Sequence, residues 1–345
     1  MGKYFGTDGV RGVAGADLTC EMAMLIGRGA AAVLTSSTGH KPRILIGKDT
    51  RQSGDMLEAA LTAGLCSVGA DVESLGVVPT PAVAYLVRKY NADAGVVISA
   101  SHNPMEFNGI KIFAGTGYKL PDEVENKIEA YIDNQCAGLK LATGDDVGRV
   151  TCCTDGIKDY TDHLYESING DLSGLNICID CANGASAAVA RQLFPRLGAK
   201  CTFIGVEPDG KNINAGVGST HLDNLEKAVV EGGFDCGIAF DGDADRCLAC
   251  DEKGQEIDGD KVIALLAMNM KEKGCLDGNT AVVTVMSNLG FIKFMESQGI
   301  RTEKTAVGDR YVLENMRENG YAIGGEQSGH VILLHHTTTG DGELT

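Results

Sequence analysis

A chain of 345 residues with 43% apolar content is too long for one ordinary core and fits two or three domains. Thirty basic against forty-seven acidic residues give a net charge of −17, a surface that as a whole repels nucleic acid and anionic lipid. There is no Lys/Arg run to reverse that locally, and no apolar run approaches the ~18 residues of a membrane span, so neither nucleic acid nor membrane is an expected partner. Met1-Gly-Lys-Tyr-Phe-Gly-Thr-Asp8 carries no signal-peptide stretch, and the expected location is cytoplasmic.

Strand-like and helix-like runs alternate along the chain. Residues 42–48 read as a strand, and 53–69 as a helix with Leu57, Leu61 and Leu65 on one face. A strand at 71–78, a helix at 81–90 and a strand at 94–99 follow. The same rhythm recurs at 175–180, 185–197, 200–206, 222–231 and 236–240. It returns at 280–285, 290–298, 301–305, 312–319 and 321–324. The expected fold is therefore α/β: three successive domains with mixed, largely parallel sheets around a central active-site cleft. Boundaries are expected at 1–148, 149–252 and 253–345, where polar stretches interrupt the rhythm.

Twelve cysteines include two CxxC pairs, Cys178/Cys181 and Cys247/Cys250, both in strand-like runs. Residues three apart on a strand point to opposite faces, so small buried apolar thiols are expected there, not metal ligands. Free thiols also fit a reducing compartment.

Four segments carry candidate chemistry. Gly6-Thr-Asp-Gly-Val-Arg11-Gly12 offers backbone amides and one arginine to a phosphate. Ser101 ends an apolar strand and precedes His102-Asn103-Pro104, which cannot continue a ladder; the turn presents its hydroxyl at the sheet edge. Taken singly, Ser101 reads equally well as a turn serine, and Lys111 as a solvated strand lysine. Asp241-Gly-Asp243-Ala-Asp245-Arg246 sets three carboxylates at alternate positions, with an arginine at the sixth place where an EF-hand needs glycine. A small hard-cation site, most simply Mg²⁺, is the reading; an exposed acidic turn is the plain alternative. Gly324-Gly-Glu326-Gln327-Ser328-Gly-His330 supplies side chains able to bind sugar hydroxyls or an amine.

Together with Asn108-Gly-Ile-Lys111 and Val307-Gly-Asp309-Arg310-Tyr-Val312, these runs resemble, in order, the α-D-phosphohexomutase superfamily, and within it the bacterial phosphoglucosamine mutases. The resemblance covers residues 6–342. It implies a phosphoserine enzyme that converts glucosamine 6-phosphate to glucosamine 1-phosphate through glucosamine 1,6-bisphosphate, on the route to UDP-N-acetylglucosamine. By the same resemblance Ser101 carries the phosphate and, with Asp241, Asp243 and Asp245, binds Mg²⁺. Arg11, Lys111, His330 and His102 fall in the catalytic set, and Glu326, Gln327, Ser328, Asp309, Arg310 and Arg246 in substrate binding. Lys111 serves as base only if desolvation frees its amine, and the choice between it and His330 stays open. The implied partners are a phosphorylated amino sugar and a kinase or bisphosphate that first phosphorylates Ser101.

The family's usual fourth domain, with its arginine-serine-glycine-threonine phosphate loop, has no match in the sequence. The expectation is a chain that binds metal and accepts phosphate yet turns over poorly. Three alternatives remain at this level: a phosphomannomutase or phosphoglucomutase, a sugar-phosphate-binding protein with little turnover, and a phosphatase with an aspartate nucleophile.

Overall fold

The computed structural model describes residues 2–34, 39–168 and 170–345. The first sheet runs through β1 (Val10–Val13), then, after helix α1 (Cys20–Leu34), β2 (Arg43–Lys48), α2 (Ser53–Ser67), β3 (Asp71–Val77), α3 (Thr80–Lys89), β4 (Ala94–Ile98) and β5 (Phe107–Ala114). Helix α4 (Asp122–Asp133) and the short strand β6 (Val150–Cys152) complete it, in the order β1-β5-β4-β2-β3-β6. Strands β4, β2, β3 and β6 are parallel; β5 runs against them, and the edge strand β1, antiparallel to β5, runs with them again. Alternation decides the faces. Ile44, Ile46, Val96, Ile98, Ile110 and Ile112 point into a core with Ile26, Leu57, Leu61 and Ile128 of the helices.

Helix α5 (Gly156–Ser167) leads to a second sheet. It holds β7 (Asn176–Asp180), α6 (Ala187–Arg196), β8 (Lys200–Ile204), α7 (Asp223–Gly232), β9 (Cys236–Phe240), β10 (Cys247–Asp251) and β11 (Glu256–Ile257), ordered β11-β10-β9-β7-β8. The third follows with α8 (Gly259–Glu272), β12 (Thr280–Thr284), α9 (Leu289–Ser297), β13 (Arg301–Thr305), α10 (Asp309–Asn319), β14 (Ile323–Gly325) and β15 (Val331–Leu333), ordered β13-β12-β14-β15. Three α/β layers with mixed sheets are thus present, as the alternating pattern predicts.

All three sheets share one device. A parallel core strand turns back into an antiparallel strand: β4 into β5, β9 into β10, and β14 into β15. The connecting loops, 99–106, 241–246 and 326–330, therefore lie at the carboxyl ends of parallel strands, where open α/β sheets place ligand groups. They are also the loops singled out by sequence.

The chain divides into two compact units, Met1–Tyr160 with Pro208–Ile213, and Thr161–Glu207 with Asn214–Thr345. In the second, the loops after β9 and β14 are tied together: Cys247 N–H donates to Gly329 O at 3.0 Å, and Gly342 N–H to Ala244 O at 3.0 Å. Cys247 and Cys250 sit on β10 and Cys178 on β7, while Cys181 lies just past the end of β7. All twelve thiols are free, and no cysteine joins a metal-ligating group among the described residues. No helix among those residues is long and apolar enough to cross a membrane.

Candidate active site

In the first unit Ser101 is buried, with a left-handed backbone at φ 53°. A non-glycine residue takes that conformation only when its surroundings enforce it, at a cost of about 1–2 kcal/mol. The enforcing groups are identifiable. Ser101 N–H donates to Ser99 Oγ at 2.9 Å, and Ser99 Oγ donates to Asp49 Oδ2 at 2.6 Å. Asp49 also receives Arg51 Nε at 2.9 Å, an ion pair wholly removed from solvent. The remaining arms of Arg51 donate to the carbonyls of Ser101 (2.8 Å), Asn103 (2.9 Å) and Pro104 (2.7 Å). The Ser101 hydroxyl lies 3.4 Å from His102 Nδ1.

Arg11 and Lys111 meet on adjacent strands. Arg11 pairs with Gly109 across β1 and β5, and Lys111 lies two residues on, on the same face. A side chain at Gly109 would sit 2.5 Å from Ser99 O and 3.0 Å from Arg11 Cγ; glycine there lets the arginine stem lie beside the serine loop. Both cations converge on Asp8. Its Oδ2 pairs with Arg11 and, at 3.2 Å, with Lys111 Nζ, while Oδ1 pairs with Lys119 Nζ at 2.6 Å. Burial pushes the Asp8 carboxyl up, but Lys111, Lys119 and Arg11 outweigh it and hold the group well below the usual carboxylate range. An ionised Asp8 favours the ammonium form of Lys111, which is only 1% exposed.

In the second unit Asp241, Asp243 and Asp245 are all buried, and an oxygen from each lies within 4.8 Å of the others. Ala244, at φ 58°, bends the loop so that alternate carboxylates converge. Arg246 N–H donates to Asp241 Oδ1 at 3.2 Å, and Arg246 Nε lies 3.9 Å from Asp245 Oδ1. Burial works against the Arg246 charge, but Asp245, Asp241, Glu326 and Asp243 more than offset it and strengthen the guanidinium's hold on its proton. Three close carboxylates facing one guanidinium make an all-oxygen donor set, and that chemistry fits a small hard divalent cation such as Mg²⁺.

The 326–330 loop closes on the start of α10. Glu326 Oε1 accepts from Gly308 N at 3.1 Å, and His330 Nε2 lies 3.6 Å from Asp309 Oδ2. The imidazole lies flat on Gly340, where any side chain would overlap the ring, and its two nitrogens make no hydrogen bond within the described residues. Gln327 turns away to Asp258 Oδ2 (3.1 Å), Arg310 donates to Glu314 of its own helix (3.1 Å), and Ser328 is half-buried. Near this loop Glu343 is buried, and neither carboxylate oxygen is hydrogen-bonded among the described residues; burial first, and Asp341 second, push it well above the usual range.

Among the residues singled out by sequence, the structure brings Arg11 together with Lys111, and Arg246 with the aspartates and Glu326. The sequence reading misses Asp8, Lys119, Asp49, Arg51, Ser99 and Asp258. Asp8 stood inside a quoted motif, and Asp49-Thr-Arg51 closes the β2 strand just as the other loops close theirs, a signal that was available.

The fold and these loops define a phosphosugar mutase. The chain matches the phosphoglucomutase/phosphomannomutase α/β/α domain I over residues 2–137, domain II over 158–254 and domain III over 258–345, and it belongs to that family. Among curated relatives it is 58% identical over 345 residues to a phosphoglucosamine mutase of Acetivibrio thermocellus and 56% identical to one of Clostridium tetani. In each case all of this chain aligns with 77% of the relative. A crystal structure of a phosphoglucomutase/phosphomannomutase family protein from Burkholderia thailandensis superposes with a TM-score of 0.83 at 25% identity, covering 100% of this chain and 75% of that one.

Proposed function

We propose that this chain is a phosphoglucosamine mutase that interconverts glucosamine 6-phosphate and glucosamine 1-phosphate. The observation that carries the reading is chain-wide identity of 56–58% to proteins of that name, combined with a buried, backbone-clamped Ser101.

In the forward direction the bond between phosphorus and Ser101 Oγ breaks as one forms to the sugar O1, and the O1 proton leaves to a base. The resulting 1,6-bisphosphate turns over and returns its 6-phosphoryl group to Ser101. Asp241, Asp243 and Asp245 would hold Mg²⁺, which when bound offsets negative charge on the transferring oxygens. Arg11, Lys111 and Lys119 act as fixed cations for phosphoryl oxygens, with Asp8 holding them in place. Lys111 stays an ammonium in this scheme, and His330, oriented by Asp309, carries the proton. Glu326 faces the 2-ammonium that distinguishes glucosamine from glucose or mannose.

A coupled assay with glucosamine 6-phosphate, Mg²⁺ and a trace of glucosamine 1,6-bisphosphate tests this, with Ser101→Ala alongside. Serine-dependent formation of glucosamine 1-phosphate is the expected result. A substrate panel in which glucose or mannose phosphates outpace glucosamine phosphate overturns the assignment of the sugar.

A further inference from the structure

We propose that Arg51 is a positioning residue for the nucleophile: its planar guanidinium, oriented by Asp49, fixes the carbonyls of Ser101, Asn103 and Pro104 and so holds Ser101 in its left-handed conformation. The inference rests on Ser101 being the phosphoryl carrier.

The geometry argues for shape over charge. Nε is committed to Asp49 Oδ2, one terminal nitrogen to Pro104 O, and the other to the carbonyls of both Ser101 and Asn103. Four acceptors are thus reached by one rigid, planar fork. A lysine ammonium concentrates its donors at one point and cannot span them. As stability alone, a fully buried ion pair is a poor device, since apolar side chains of the same volume do as well. This pair is aimed at the one loop whose backbone is strained at the nucleophile, and Ser99 closes the circuit by linking Asp49 to the Ser101 amide. The Arg51 turn is itself anchored, because Gln52 N–H donates to Gly210 O at 2.9 Å.

The test uses this chain as it stands and two readouts. The first is single-turnover phosphorylation of Ser101 by glucose 1,6-bisphosphate with Mg²⁺, followed by intact mass. Arg51→Lys is expected to lower the maximal rate at least about thirtyfold while leaving the half-saturating donor concentration within about threefold, the signature of a misplaced nucleophile. Guanidinium ion at millimolar concentration is expected to restore rate to Arg51→Gly and not to Arg51→Lys. The second readout is amide hydrogen exchange, which needs no activity. Exchange across 99–106 should rise about tenfold or more in Arg51→Lys, with β2 and β4 unchanged. Should the Arg51 variants fail to fold, Ser99→Ala removes only the hydroxyl link and is expected to raise exchange in the same loop by about threefold. Loop exchange unchanged in these variants, or a raised half-saturation with an unchanged maximal rate, overturns the proposal. Loop exchange that responds as expected in a protein whose Ser101 never takes phosphate overturns the mutase reading and the role at a nucleophile with it, leaving Arg51 as a support of the loop backbone alone.

Discussion

The loop after β4 and the loop after β9 occupy equivalent places at the ends of their sheets, yet they are stabilised in opposite ways. The Ser101 loop is complete in itself. Its buried charges balance, Arg51 against Asp49, and its backbone carbonyls have protein donors. The 241–246 loop gathers like charges: three buried carboxylates converge beside Arg246 and strengthen its hold on its proton. A self-satisfied loop holds a nucleophile still. Converging carboxylates store repulsion that a bound cation would relieve, at a cost in stability when none is bound.

The sharpest way to break this comparison is Asp243→Asn. If the loop is a cation site, the variant should lose on the order of 10³ in mutase rate, as expected when a transition-state charge goes uncompensated. The metal-free variant should also melt above the metal-free wild type, because repulsion has been removed. Mg²⁺ at a hundred times its Kd should stabilise the wild type by about 2.7 kcal/mol and the variant by far less. Calorimetry with and without chelator reads both. Equal responses to Mg²⁺ would show that the carboxylates are an acidic turn and nothing more.

Next in size is Asp8→Asn. Removing one carboxylate from Lys111, Lys119 and Arg11 takes a counter-ion away from a buried ammonium, and breaking such a cluster costs about 3–5 kcal/mol. The pH dependence has a definite sign. Asp8 titrates below its unfolded value near 3.8, so its contribution is present above that pH and is lost as pH falls through the lower folded value. Denaturation followed from pH 6 to 2 should therefore be less steep in Asp8→Asn.

Glu343 in the other unit runs the opposite way. Its folded value lies well above 4.5, so ionising it is a penalty that is absent below pH ~4.5 and grows as pH rises toward the folded value. Glu343→Gln should stabilise the protein at neutral pH by about 1–3 kcal/mol, the scale of one unsatisfied buried polar group, and by little at pH 4. A variant that is destabilised at neutral pH would mean that the carboxylate makes an interaction the fold depends on.

Legibility followed local pattern and stopped where a group acts across the chain. Strands β2 and β4 and helices α2 and α3 fall within two residues of the predicted spans because period-2 and period-3.6 apolar patterns are local. The strands at 10–13 and 107–114 bury a lysine, an asparagine and a glycine, and hydrophobic alternation alone does not reveal them. Arg51 looks like any exposed turn arginine until the fold brings it against carbonyls some fifty residues away. Burial of Lys111 is readable from its apolar neighbours, but the carboxylate that pairs with it comes from residue 8, far along the chain.

The smallest prediction concerns the edge of the 326–330 loop. Asp258 accepts from Lys261 N at 3.0 Å as the cap of α8 and, through Oδ2, receives Gln327 Nε2 at 3.1 Å. Asp258→Ala should lose the cap for about 1 kcal/mol, whereas Asp258→Ser, which can still cap the helix, should retain most of that. Both variants release Gln327, since a serine oxygen is too short to serve both partners. If Gln327 is held away so that Glu326 alone meets the amino sugar, the two variants should share one weakened preference for glucosamine over glucose phosphate despite their different melting temperatures. A preference that instead tracks melting temperature would place Asp258 in the scaffold and leave sugar choice to Glu326 and the Gly308 amide that holds it.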